Sequence, residues 1–192
     1  QKAKGCYEKI IEIDPNHADG LNGLGAIYKI LKENRKAKKS FEKVIELKPD
    51  HIDAHNNLGN VFKELGEHQK AKDCFEKVIE IDPNHVKAHN SLGIIFKELG
   101  QRQKAKNCFE KAIAINPNHV DAHYNLGVVF KELGDLQKAK DCYEKVIEID
   151  PNHVNAFANL SSLYISTLDD LEKSINSSYK TLKIFHNNLK FI

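Results

Sequence analysis

Methionine and tryptophan are both missing from this 192-residue chain, and proline (5) and glycine (10) are sparse. With no initiator methionine, and a first residue inside a periodic pattern, the sequence reads as a piece excised from something longer. No apolar run approaches the roughly 18 residues that a membrane span needs. No signal-peptide pattern opens the chain either, so no membrane insertion is expected. Neither sign of charge dominates: 29 basic and 27 acidic residues leave a net charge of +2. That balance gives no electrostatic reason to expect nucleic acid or acidic lipid as a partner.

The few prolines are informative through their positions. Pro15, Pro49, Pro83, Pro117 and Pro151 follow one another at intervals of 34 residues. The cysteines keep the same interval, as Cys6, Cys74, Cys108 and Cys142, with Ser40 in the second slot. Residues 52–85 and 120–153 differ at only six positions: Ile52/Val120, Asn56/Tyr124, Asn60/Val128, Glu67/Asp135, His68/Leu136 and Phe75/Tyr143. A fixed period of this length means stacked supersecondary units, each burying its apolar face against its neighbours.

One unit carries two helical stripes. Ala122, Leu126, Val129, Phe130 and Leu133 recur at spacings of three and four, which predicts a helix over 120–133. Gly134-Asp135 interrupts the pattern and supplies an N-cap. A second stripe, Ala139, Tyr143, Val146, Ile147 and Ile149, predicts a helix over 136–149, stopped by Asp150-Pro151-Asn152. Gly59, Gly93 and Gly127 lie inside the first helices, where glycine costs about 1 kcal/mol relative to alanine. Their recurrence predicts a close approach of two helices, at which an added side chain would clash.

The order Leu-Gly, aromatic, Ala, aromatic, Pro resembles the tetratricopeptide repeat, a 34-residue family. One unit shows it as Leu58, Gly59, Phe62, Ala71, Phe75 and Pro83. Equivalent sets run from Leu24 to Pro49, from Leu92 to Pro117 and from Leu126 to Pro151. The family's early tryptophan is replaced by Leu21, His55, His89, His123 and Phe157. The resemblance implies an all-α fold, a right-handed superhelical solenoid of stacked antiparallel helix pairs with about eleven helices. Repeats are expected at 18–51, 52–85, 86–119 and 120–153, preceded by the second helix of a truncated unit at 1–17. Residues 154–192 read as a degenerate terminal repeat or cap. Ser161 replaces the glycine there, an extra residue enters near Leu168-Asp169, and no proline closes it. The apolar Phe191-Ile192 end argues that the natural chain continues.

Ten histidines invite a metal reading, because His51/His55, His85/His89 and His119/His123 have i, i+4 spacing. However, the first member of each pair falls in the turn after proline, and no third ligand occupies a matching position. Packing in the turn and between helices is the expected role, with no metal and no cofactor. Equivalent cysteines in successive units should stand on the order of 10 Å apart, beyond the roughly 7 Å between Cα atoms that a disulfide spans. Reduced thiols favour an intracellular, cytoplasmic protein. There is no Gly-rich phosphate loop and no activated nucleophile, so no catalytic residue is expected and the chain is read as a non-enzyme.

Opposite the buried stripe, each first helix carries a second one. The residues expected to bind a peptide are Asn56, Asn57, Asn60 and Lys63, then Asn90, Ser91 and Lys97, then Tyr124, Asn125 and Lys131, and finally Asn159. By the family resemblance this stripe lines a concave groove where extended peptides dock. Asparagine offers a donor and an acceptor and so can hold a peptide unit whatever its side chain. The partial row Asn57, Asn125, Asn159, interrupted by Gly23 and Ser91, resembles the asparagine ladder preceding O-linked N-acetylglucosamine transferase domains. The clamp that reads a chaperone's C-terminal carboxylate does not fit, because Asn56, Asn60, Ser91, Asp121 and Asn125 fill its slots.

These readings converge on a scaffold that binds a protein or peptide ligand. Two others compete with it. One is the substrate-targeting arm of a larger enzyme such as a glycosyltransferase; the other is a structural module that self-associates through exposed end repeats.

Overall fold

The computed structural model describes residues 2–166 and 171–189. The extra residue expected near Leu168-Asp169 and the Phe191-Ile192 end lie outside these. Among the described residues the chain forms eleven helices and no strand: α1 (Lys2–Ile13), α2 (Ala18–Ile30), α3 (Asn34–Leu47), α4 (Ile52–Glu64), α5 (His68–Ile81), α6 (Val86–Glu98), α7 (Arg102–Ile115), α8 (Val120–Glu132), α9 (Leu136–Ile149), α10 (Val154–Ser166) and α11 (Leu171–Leu189). This is an all-α solenoid of helix pairs. None of these helices is long and apolar enough to cross a membrane. Two compact units divide the chain, Gln1–Leu99 and Gly100–Ile192.

In unit 1, α2 pairs with α3 and α4 with α5, while α1 packs on α2 and α6 on α5. The glycines make these pairings tight. A Cβ at Gly25 would stand 2.7 Å from Phe41 Cε1, and one at Gly59 would stand 2.8 Å from Phe75 Cε1. Phe41 and Phe75 are fully buried, together with Val44, Val61 and Val78. The expected clash is therefore real. Lysines cover the core at its edges: the ammoniums of Lys38 and Lys70 lie 5.3 and 5.5 Å from the Phe62 ring centre, within cation–π range.

Unit 2 repeats the plan with α8/α9 and α10/α11. A Cβ at Gly127 would meet Tyr143 Cε1 at 2.7 Å. Lys106 and Lys138 flank the Phe130 ring at 5.8 and 5.4 Å. The last helix leaves Ile175, Tyr179 and Leu182 exposed along one side, at i, i+4 and i+7.

Helix ends follow from local chemistry. After α4, Gly66 takes φ +74, and Glu67 N–H reaches back to the Phe62 carbonyl at 2.9 Å, the usual glycine stop. Before α4, the Nδ1 of His51 accepts the Ala54 N–H at 3.2 Å. His17, His85, His119 and His153 do the same for α2, α6, α8 and α10. An imidazole nitrogen thus serves where serine or aspartate oxygen is the usual cap.

Candidate functional site

The residues of unit 1 expected to bind a peptide lie on α4 and α6, with α2 beside them. Asn60 is spent locally, its amide donating to the Asn56 carbonyl one turn earlier at 2.9 Å. Asn90 and Ser91 are buried, at 8% and 9% exposure, and so present little surface to a ligand. Asn57 is different. Its half-buried amide has no hydrogen-bond partner among the described residues. It lines an open depression of about 350 Å³ with Ala26, Lys29, Ile30, Lys32 and Glu64. Glu64 is engaged by the Asn34 amide at 3.2 Å and approached by Lys32 at 3.9 Å. Lys63 and Lys97 are half-buried and, among the described residues, have no carboxylate within 4 Å.

Lys29 and Ile30 were not among the residues expected from sequence, although Lys29 stands 34 positions before Lys63. Burial lowers the Lys29 ammonium from its ordinary range; Glu64 opposes this, while Lys63 and Lys32 add to it. Ile30 is 79% exposed, an apolar side chain that lines the same depression. The periodic signal for Lys29 was present in the sequence. The exposure of Ile30 was legible too, because its repeat equivalents are the charged Glu64 and Glu98.

A larger depression of unit 1, about 770 Å³, opens at the turns around Lys48–Asp53, Asp82 and His85. Most of its polar groups are engaged: Asp50 pairs with Lys77 at 3.5 Å, Asp82 accepts the Asn84 N–H at 3.0 Å, and both histidines cap helices.

In unit 2 the expected residues Tyr124 and Asn159 come together. The Asn159 amide donates to the Tyr124 hydroxyl at 3.2 Å. The Tyr124 ring lies 5.1 Å from His153 and 5.9 Å from Tyr143, centre to centre. Tyr143 is fully buried, its hydroxyl has no partner, and burial raises its pKa. Asn125 and Lys131 are half-buried on α8.

The histidine pairs do not converge on a metal. While His51 caps α4, the Nε2–H of His55 donates to the Pro49 carbonyl at 2.7 Å, and His89 and His123 repeat this on Pro83 and Pro117. Among the described residues no group of three ligating side chains could hold an ion. All four cysteines are free thiols; burial pushes Cys74 and Cys142 up to about 12, which leaves little thiolate for chemistry.

The model described as Tetratricopeptide repeat matches residues 18–51, 52–85 and 120–153. A second model of that description matches 74–107, and one described as TPR repeat matches 95–134. None of the curated proteins compared with the chain matches it. Among solved structures, MamA is 24% identical with a TM-score of 0.79, over 87% of this chain and 97% of its own. YrrB, described as a TPR protein with an unusual peptide-binding site, is 25% identical with a TM-score of 0.73, over 93% and 91%. PilF of Pseudomonas aeruginosa is 22% identical with a TM-score of 0.77, over 88% and 75%.

Proposed function

Since the chain belongs to the tetratricopeptide repeat family, we propose that it is a protein-interaction scaffold holding an extended partner segment on the groove-side face of its first helices. The observation that carries this reading is the Asn57 amide, without a partner among the described residues and beside an open depression of about 350 Å³. A half-buried amide gains by pairing with a peptide unit, to which it offers both donor and acceptor. The likeness to YrrB, whose description includes a peptide-binding site, supports the same class of ligand. Lys63 and Lys97 stand at the rim of this face, with Asn56 beneath it. In unit 2, Asn125, Lys131 and the Tyr124–Asn159 pair form the corresponding stretch.

The test is positional. A photo-crosslinking amino acid at position 57 should capture partner protein from an extract of the source cells. The same group at the exposed Glu76 of α5 should capture little. Equal capture from both positions, or capture from 76 alone, overturns the assignment.

A second reading, self-association through an end repeat, is favoured by the exposed Ile175, Tyr179 and Leu182 of α11. Under it, sedimentation shows a dimer that Tyr179→Lys dissolves; a monomer at millimolar concentration rules it out.

A further inference from the structure

We propose that the groove-side face of unit 1 selects acidic ligands, its lysine row Lys29, Lys63 and Lys97 reading carboxylate side chains about three residues apart along an extended segment. The inference rests on the reading that this face holds such a segment, and adds the chemistry of what is held.

Three observations support it. The lysines recur every 34 residues, each in the last turn of its helix, α2, α4 and α6. All three are half-buried, and none has a carboxylate within 4 Å among the described residues. Of the neighbouring glutamates, Glu64 is engaged by the Asn34 amide and approached by Lys32 at 3.9 Å, and Glu98 has His68 Nδ1 3.2 Å away without a hydrogen bond between them. A helix C-terminus favours lysine in any case, which explains the residue type. It does not explain why none of these three closes on a carboxylate, Lys29 feeling Glu64 only from beyond 4 Å, while Lys43, Lys70 and Lys77 each hold a glutamate. Partly desolvating a cation costs free energy unless an anion joins it. The depression beside Lys29 and Asn57 has room for one acidic side chain, with the asparagine left to hold the adjoining peptide unit.

Spacing follows from packing. Helix α4 lies directly against both α2 and α6, and packed helices stand about 8–10 Å apart. A segment extended as polyproline II advances about 3.1 Å per residue and, with three residues per turn, returns every third side chain to the same face. One helix step therefore corresponds to roughly three ligand residues.

The experiment uses the full chain and synthetic peptides of about twelve residues, acetylated and amidated, read by fluorescence anisotropy. One probe carries Asp at every third position, a second has Asn in those positions, and a third has the same number of Asp in one block. The spaced Asp peptide should bind about tenfold or more tighter than the Asn peptide, and tighter than the block. Raising salt from about 50 to 500 mM should weaken the Asp peptide alone. Replacing all three lysines (Lys29→Gln, Lys63→Gln, Lys97→Gln) should erase the preference while circular dichroism stays unchanged. Equal binding of the Asp and Asn peptides overturns the proposal. If Asn57→Ala weakens both of them, the docking face itself still stands. Equal binding of the spaced and blocked peptides overturns the spacing, and binding that needs a free C-terminus overturns side-chain reading. Absence of binding by every probe overturns the proposal, and the crosslinks from position 57 then decide the docking face separately.

Discussion

A methyl group added at Gly59 would stand 2.8 Å from Cε1 and 2.9 Å from Cζ of Phe75, a ring with no exposed surface and no room to retreat. Helix propensity alone favours Gly59→Ala by about 1 kcal/mol, and overpacking costs roughly 1–3 kcal/mol. The clash wins. Urea unfolding should show Gly59→Ala destabilised by about 1–2 kcal/mol, whereas Gly5→Ala should gain about 0.5–1 kcal/mol, since nothing lies within 4 Å of its Cβ. Cysteine chemistry is decided at the same scale. Cys74 and Cys142 are raised from 9.0 to about 12, chiefly by burial. The folded state thus holds these protons more tightly than the unfolded chain does. Stability from this source is complete below about pH 9 and is lost as pH rises towards 12. Iodoacetamide at pH 8 should therefore label the exposed Cys6 first, leaving Cys74 and Cys142 unmodified until urea is added, as mass spectrometry will report.

At the scale of the element, five helices begin on a histidine whose Nδ1 accepts a backbone N–H. His51→Ala removes the cap of α4 and should cost about 1 kcal/mol, while His51→Asp restores an acceptor and should recover most of it. Thermal unfolding of the two variants side by side decides; equal loss in both would show that the ring packs and does not cap. The helices themselves were legible in advance: those expected at 120–133 and 136–149 run Val120–Glu132 and Leu136–Ile149. Leucine and aromatic spacing fixes a buried face, and the proline turns fix the stops. The caps were not legible, because a histidine before a helix has no reputation as an acceptor. Which of the asparagines expected to bind a peptide are engaged within the chain was not legible either. Asn60 is consumed by its own helix and Asn159 by Tyr124. Asn90 is buried while its repeat equivalent Asn56 is half-buried. Position in the repeat sets the direction of a side chain, and the neighbouring elements decide what it meets.

Across the whole molecule, energy is distributed by repetition, so an entire period should be removable where part of one is not. Deleting 52–85 joins His51 to Val86 and brings α6 to the place α4 held against α3. Ala88, Leu92, Gly93 and Phe96 then occupy the slots of Ala54, Leu58, Gly59 and Phe62, identical residue for residue. His89 stands where His55 stood and finds the Pro49 carbonyl in place of that of Pro83. Little surface has to be repacked, the buried Val61 giving way to the one-methylene-larger Ile95, and the loss is confined to one unit and its interfaces. The shortened chain should keep its helical signal per residue and unfold cooperatively. Its urea m-value should fall by about one sixth, in proportion to the surface removed. Deleting only 52–67 removes α4 and its turn and sets α3 directly before α5, two second helices with no first helix between them. Phe41 and Phe75 then lie on the same side of the missing partner, and Phe75 loses the Gly59 surface it packs on. That protein, shorter by less, should be the one that loses its cooperative transition. If both deletions unfold alike, nearest-neighbour packing does not govern this chain.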